Sequence, residues 1–254
     1  IFGGKMEKEN AFIDGAISVK AVIENESRPV FGLYISEKKF GDKNIRYIIS
    51  QAKKKGINPE IVSADFFEND IFGKTNGGIA AEVGERKLSN AEDLLSGDNP
   101  FLALIEGVED PYNFGSALRS LAAAGATGII LPQRNWLSAA GTVIKSSAGA
   151  SEKLHAAVPE DLGEFLKEAK KKGFEIIAAE RKNAVSLFET DLTSPLLLAV
   201  GGEKRGLSKK VSDEVTKNVF IPYGSDFRNA LGTAAATAVF AFEILRQRES
   251  KCTQ

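Results

Sequence analysis

Apolar and polar positions follow two regimes along this chain, and the change falls in the polar stretch from Gly84 to Pro100. Before it, Phe12, Ile13, Ala16, Ile17, Val19, Ala21 and Val22 recur at helical spacing and predict a helix from Asn10 to Ile23. Val30 to Ile35 is a short apolar run of strand formers and predicts a buried strand. A second helix is predicted from about Asp42 to Lys55, stopped by Gly56, with strands to follow at Glu60 to Val62 and Gly78 to Val83. This is the pattern of a small α/β module.

The polar stretch ends in the turn Gly97-Asp98-Asn99-Pro100, where a domain boundary is expected. Beyond it, apolar runs at Phe101 to Ile105, Gly128 to Leu131, Phe174 to Ala179, Leu196 to Val200 and Val219 to Ile221 alternate with helical segments. Such alternation belongs to a parallel sheet covered on both faces. The expected organisation is therefore α/β, with a small α/β domain at 6–84, a linker at 85–99 and a parallel-sheet domain at 100–254. Open parallel sheets bind ligands outside the carboxyl ends of their strands. That rule selects the loops Glu106 to Asn113, Pro132 to Trp136, Glu180 to Asn183, Gly201 to Gly206 and Pro222 to Asn229.

Composition narrows the chemistry. The chain has 254 residues, 43% hydrophobic and 26% charged, enough for one good core or two smaller ones. Its one Cys (Cys252) and one His (His155) exclude a disulfide framework and a multi-thiolate or multi-histidine metal centre, so no metal is expected. No apolar run reaches the ~18 residues of a membrane span, and the N-terminal region lacks a basic segment leading into an apolar one, which suggests a cytoplasmic protein. Ile1 to Lys5, ahead of the sole methionine Met6, read as a cloning or processing remnant. The net charge of 33 − 34 = −1 gives no global polyanion signal. Lys53 to Lys55 and Lys170 to Lys172 close predicted helices, where cations complement the dipole, whereas Lys204, Arg205, Lys209 and Lys210 flank a glycine-rich loop.

Three of the selected loops carry distinctive residues. In the first, Asn113 is read as the N-cap of an Ala-rich helix, with Arg119 six residues further on at the edge of an apolar face, within reach of a bound anion; an exposed helix arginine fits the same spacing. In the second, Gly201, Gly202 and Gly206 would let backbone approach a ligand closely, although the spacing matches neither a Walker loop nor a dinucleotide fingerprint. The third leads from Ile221-Pro222 through Asn229 into a small-residue helix from Ala230 to Phe242, which a tightly packed core helix would also explain.

Taken together and in this order, the three segments resemble the SpoU (TrmH-type) family of RNA 2′-O-ribose methyltransferases of the SPOUT superfamily. Asp110-Pro111-x-Asn113-x-Gly115-x-x-x-Arg119 is similar to the family's first motif, Gly201-x-Glu203-x-x-Gly206-Leu207-Ser208 to its second and Ile221-Pro222 to its third. Ser146 to Ala150 resembles a small-residue segment between the first two. The resemblance implies a deep trefoil knot that binds S-adenosylmethionine, a homodimer, a ribosomal or transfer RNA substrate, and a small RNA-binding domain ahead of the catalytic one. It also implies roles: Arg119 orienting or helping to deprotonate the ribose hydroxyl, Asn113 and Glu203 holding the site around it, and Gly201, Gly202, Ile221 and Leu231 contacting the cofactor. Where the family carries Ser-Leu-Asn, two registers are open, Ala230-Leu231-Gly232 or Phe227-Arg228-Asn229, and neither holds the serine. Asn229 would then supply the amide of a variant active site; the alternative is a non-catalytic RNA-binding homologue of the same fold. Tyr34, Phe31 and the lysines of the first module are candidates for its RNA face.

Overall fold

Segments rich in β-branched residues and leucine form the strands, and amphipathic segments form the helices that cover them. The computed structural model describes residues 10–68, 75–133 and 138–252, with residues 251 and 252 described by backbone alone. Ile1 to Lys5, Met6 and the Arg134–Trp136 part of the second selected loop lie outside the described residues. The described residues form two compact units, those within Ile1–Lys87 and Asn135–Lys153, and those within Leu88–Arg134 and Leu154–Gln254.

The first unit contains β1 (Ala11–Asp14), α1 (Ala16–Asn25), β2 (Val30–Ser36), α2 (Lys43–Lys54), β3 (Pro59–Val62) and β4 (Ile79–Val83). Its sheet order is β1-β4-β2-β3, with β1 and β2 antiparallel to β4 and β3 parallel to β2. The helix expected from Asn10 thus begins six residues later. Phe12 and Ile13 face opposite sides of a strand paired with β4, and Gly15, at φ 91°, separates that strand from α1. A mixed segment satisfied both periodicities, and pairing decided for the strand. The second helix is as expected, with the Asp42 carboxylate accepting from the amides of Asn44 (2.8 Å) and Ile45 (3.2 Å). Ile13, Val19, Val22, Leu33, Ile35, Ile45, Ile48 and Val83 pack between the sheet and its helices. On the other sheet face, Tyr34 stacks on Phe66 at 5.1 Å and tilts against Phe12 at 6.0 Å. Tyr34 is therefore engaged by neighbouring rings, while Phe31 remains exposed.

After α3 (Pro111–Ala123), which belongs to the second unit, come two further helices of the first, α4 (Ala140–Ser146) and α5 (Ala150–Lys153). They carry the small-residue segment. Gly149, at φ 82°, brings its backbone against α1, where an added Cβ would lie 2.6 Å from the Ala21 methyl. Glu152 is buried there and accepts from Ser27 Oγ (2.6 Å) and Arg28 Nε (2.9 Å). Burial pushes the Glu152 carboxyl up, but the Arg28 and Arg86 guanidiniums outweigh it, so the group titrates below the ordinary carboxylate range.

The second unit contains β5 (Phe101–Glu106), α3 (Pro111–Ala123), β6 (Gly128–Ile130), β7 (His155–Ala157), α6 (Leu162–Lys171), β8 (Glu175–Ala179), β9 (Val185–Ser186), β10 (Leu196–Gly201), α7 (Lys209–Ser212), β11 (Lys217–Phe220) and α8 (Thr233–Cys252). The seven strands form one wholly parallel sheet in the order β7-β6-β5-β10-β8-β11-β9. All five expected runs are strands. The two unexpected ones, β7 and β9, are edge strands of two or three residues, too short to carry a pattern. Leu94 and Leu95, in the polar stretch read as a linker, are buried in this unit's core. After β5, β6 and β7 the chain reverses, and β10 is inserted between β5 and β8, which makes the β5/β10 boundary the switch point where such sheets open a crevice. α8 packs along α3, and its far end is tied down by Arg248, whose Nη1 donates to Asn99 O and Nη2 to Ser194 O, both at 2.8 Å.

Glu152→Gln removes the charge that the buried Arg28 requires and is expected to lower stability by about 3 kcal/mol. Because the carboxyl is held below its unfolded value, its contribution is present above that value and is lost as pH falls through the folded one. Urea unfolding followed by circular dichroism should show a wild-type advantage at pH 7 that shrinks below about pH 4; a constant gap would refute the electrostatic cause.

Candidate active site

The loop after β5 is set by Gly107 at φ 75° and by Asp110, whose carboxylate accepts from the amides of Tyr112 (3.0 Å) and Asn113 (3.3 Å). Asp110, not Asn113, is thus the N-cap of α3, because Pro111 at the first helical position leaves no amide to satisfy and suits the helix start. Asn113 sits in the first turn with its side chain exposed. Arg119 follows eight residues after Pro111, about 12 Å along the axis at ~1.5 Å per residue. It is exposed and has no hydrogen-bond or ion-pair partner among the described residues.

The loop after β10 runs back against the loop after β5. Gly202 N donates to Glu106 O at 2.7 Å, Ser208 N donates to the Glu106 carboxylate at 2.6 Å, and Gly202 and Gly206 form an antiparallel bridge closed by Gly206 N to Gly202 O at 2.9 Å. A Cβ on Gly202 would lie 2.1 Å from Gly107 O, and one on Gly201 would lie 2.6 Å from Gly206 C. The glycines expected to make room for a ligand first make room for neighbouring backbone. Beyond this crossing, Lys204 and Arg205 pair loosely with Glu109, at 3.5 and 3.8 Å, with more than half of each side chain in solvent.

The third loop leaves β11 at Ile221 and enters α8 at Thr233, three residues later than Ala230. Thr233 Oγ1 donates to Gly201 O at 3.3 Å, which joins this loop to the second. Between them, Tyr223 Oη accepts from Leu231 N (3.1 Å) and donates to Asn229 O (3.2 Å).

Two cavities open at these carboxyl ends. The larger, about 290 Å3, is lined by Gly201, Gly202, Ile221 and Leu231, the four residues expected to contact a cofactor, together with Glu203, Leu207 and side chains from α8. The smaller, about 140 Å3, is lined by Asn113, Glu109, Asp110 and Lys204 and shares Gly202, Glu203 and Thr233 with the first. Asn113 and Glu203 are therefore brought together beside the larger cavity, whereas Arg119 and Asn229 line neither. Sequence reading assigned no role to Arg181 and Tyr223, which also line the larger cavity, although the strand-end rule had selected the Glu180 to Asn183 loop.

Residues 100–242 match the SpoU rRNA Methylase family. The 23S rRNA (guanosine-2′-O-)-methyltransferase RlmB of Xylella fastidiosa is 31% identical over 250 residues, which span 96% of this chain and 99% of that protein. Among solved structures, the SpoU methyltransferase AviRb of Streptomyces viridochromogenes in complex with AdoMet superposes with a TM-score of 0.79 at 21% identity, covering 97% of this chain and 95% of that one. The AdoMet-bound rRNA methyltransferase of Sinorhizobium meliloti superposes at 0.76 with 19% identity, covering 94% and 88%. A parallel sheet whose switch point gathers the three motif loops, and a match across more than half of the chain, agree: this protein belongs to the SpoU rRNA methylase family.

Proposed function

We propose that the protein transfers a methyl group from S-adenosylmethionine to a ribose 2′-hydroxyl of ribosomal RNA. The observation that carries this reading is the pair of adjoining cavities at the β5/β10 switch point. The larger, about 290 Å3, falls just below the ~300–1,000 Å3 range of small-molecule clefts. Ile221, Leu231 and Leu207 offer apolar walls for a nucleobase, backbone at Gly201 and Gly202 offers polar contacts, and the Glu203 carboxylate suits a cationic cofactor. The residues present therefore fit the cofactor.

Bound S-adenosylmethionine supplies an electrophilic methyl group on a sulfonium leaving group. The chain's own residues orient the acceptor: Asn113 and Glu203 flank the smaller cavity, where a ribose would be held by hydrogen bonds to its hydroxyls. Arg119 stabilises negative charge as it develops on the reacting oxygen. Since Arg119 lines neither cavity of its own chain, we assign it to a homodimer in which α3 and α8, with exposed Tyr112 and Phe242, face a second copy. We further propose that catalysis is metal-independent, since one His and one Cys leave few soft ligands. The knot implied by the family would lie where the third loop meets the second, around Thr233 and Gly201.

In this reading the domain at 6–84 binds RNA, 85–99 links it, and 100–254 catalyses transfer. Exposed Phe31 and Lys53 and Lys54 supply candidate RNA contacts, and Lys204 and Arg205, only weakly held, are available to phosphate. A cytoplasmic location goes with an rRNA substrate; among the described residues no helix is long and apolar enough to cross a membrane. The alternative, a non-catalytic RNA-binding homologue, draws on Asn229 lining neither cavity.

Calorimetric titration with S-adenosylmethionine should give saturable binding near one site per chain. A folded protein that shows none would reverse the assignment in favour of the RNA-binding homologue. Arg119→Ala should cut methyl transfer to ribosomal RNA by about 10^2- to 10^3-fold with cofactor affinity nearly unchanged; full activity would remove the arginine from the mechanism. Glu203→Gln should weaken cofactor binding about tenfold or more by deleting the carboxylate at the junction of the cavities, and unchanged binding would argue against that role.

A further inference from the structure

Neither register of the third loop that resembles the family's Ser-Leu-Asn triplet, Ala230-Leu231-Gly232 or Phe227-Arg228-Asn229, holds a serine, yet this loop forms one wall of the larger cavity, and side chains order it. Tyr223 Oη bridges the loop across eight residues, accepting from Leu231 N and donating to Asn229 O. The Arg181 guanidinium lies over the Tyr223 ring at 4.5 Å and donates through Nη1 to Arg228 O at 2.7 Å and through Nη2 to Asn229 O at 3.4 Å. Arg181 is itself placed by a hydrogen-bonded turn. The Glu180 carboxylate accepts from the Arg181 amide at 2.7 Å, Asn218 Nδ2 donates to Lys182 O at 3.1 Å, and Asn183 adopts φ 51°.

We propose that Arg181 and Tyr223 are positioning residues that preorganise the 223–231 loop for the cofactor. This rests on the methyltransferase reading. The chemistry is that of a clamp. A planar guanidinium satisfies two loop carbonyls while its face rests on an aromatic ring, and the ring's hydroxyl closes the loop from inside. A loop already held in its binding conformation loses less freedom when a ligand arrives, so the clamp acts on affinity. Leu231, which lines the larger cavity, has its amide on the Tyr223 hydroxyl, so loss of the bridge acts directly at the cavity wall.

The test compares wild type, Tyr223→Phe, Arg181→Ala and Arg181→Lys by calorimetry with S-adenosylmethionine and by amide hydrogen exchange without ligand. Tyr223→Phe keeps the ring beneath Arg181 and should bind the cofactor about three- to tenfold more weakly, with faster exchange at Leu231 and an unchanged Tm. Arg181→Ala should give at least as large a loss, and Arg181→Lys should not restore it, because an ammonium cannot span both carbonyls in one plane. Wild-type affinity together with unchanged Leu231 exchange in Tyr223→Phe overturns the clamp alone. A wild-type protein that binds no cofactor overturns the methyltransferase reading and, with it, the clamp's role.

Discussion

Two loops of the parallel sheet pass each other at backbone contact distance, and the site exists only because they do. Gly202 donates to Glu106 O while its Cα lies so close to Gly107 that a methyl group would sit 2.1 Å from the Gly107 carbonyl oxygen. Any side chain there would push the carboxyl ends of β5 and β10 apart, because both atoms in conflict belong to backbone held by the sheet. The Glu106 carboxylate completes the junction by accepting from Ser208, so that the turn back from β10 is held at both ends.

Around that junction the walls are made in different ways. The first two loops are shaped by glycine geometry and by backbone hydrogen bonds, with Asp110 capping α3. The third is long, leaves the carboxyl end of β11 and is held by side chains, with Tyr223 and Arg181 acting where the sheet no longer does. Thr233 then joins it to Gly201 at the start of α8. The first unit shows the same division of labour, since α5 meets α1 through a glycine with positive φ and presents a buried carboxylate to Arg28.

Much of the architecture is legible in the amino-acid sequence. Runs such as Phe101 to Ile105 and Leu196 to Val200 are apolar at every position, short, and separated by helical segments, as in strands covered on both faces, and the strand-end rule then pointed to the loops that hold the site. The errors have local causes. Phe12 and Ile13 fit a helical and an alternating pattern equally, and pairing with β4 made them a strand. The edge strands β7 and β9 are too short for any period. Asn113 and Asp110 are both good caps, and Pro111 decided between them.

By itself, then, the sequence determined the α/β class, the five central strands, the three motif loops and the family, because each rests on residue types at fixed spacing. Only the tertiary structure decided strand order, the insertion of β10 between β5 and β8, and which motif residues meet. Asn113 and Glu203 are far apart in the chain and share a cavity, whereas Arg119, six residues from Asn113 in sequence, lies further along α3 and lines neither cavity of the site. Likewise Arg181 and Tyr223 carry no motif and become partners only because β8 and β11 are neighbours in the sheet. Spacing along a chain records which side chains one helix or loop can present; which of them meet depends on distant backbone pairing, and that leaves no local pattern to read.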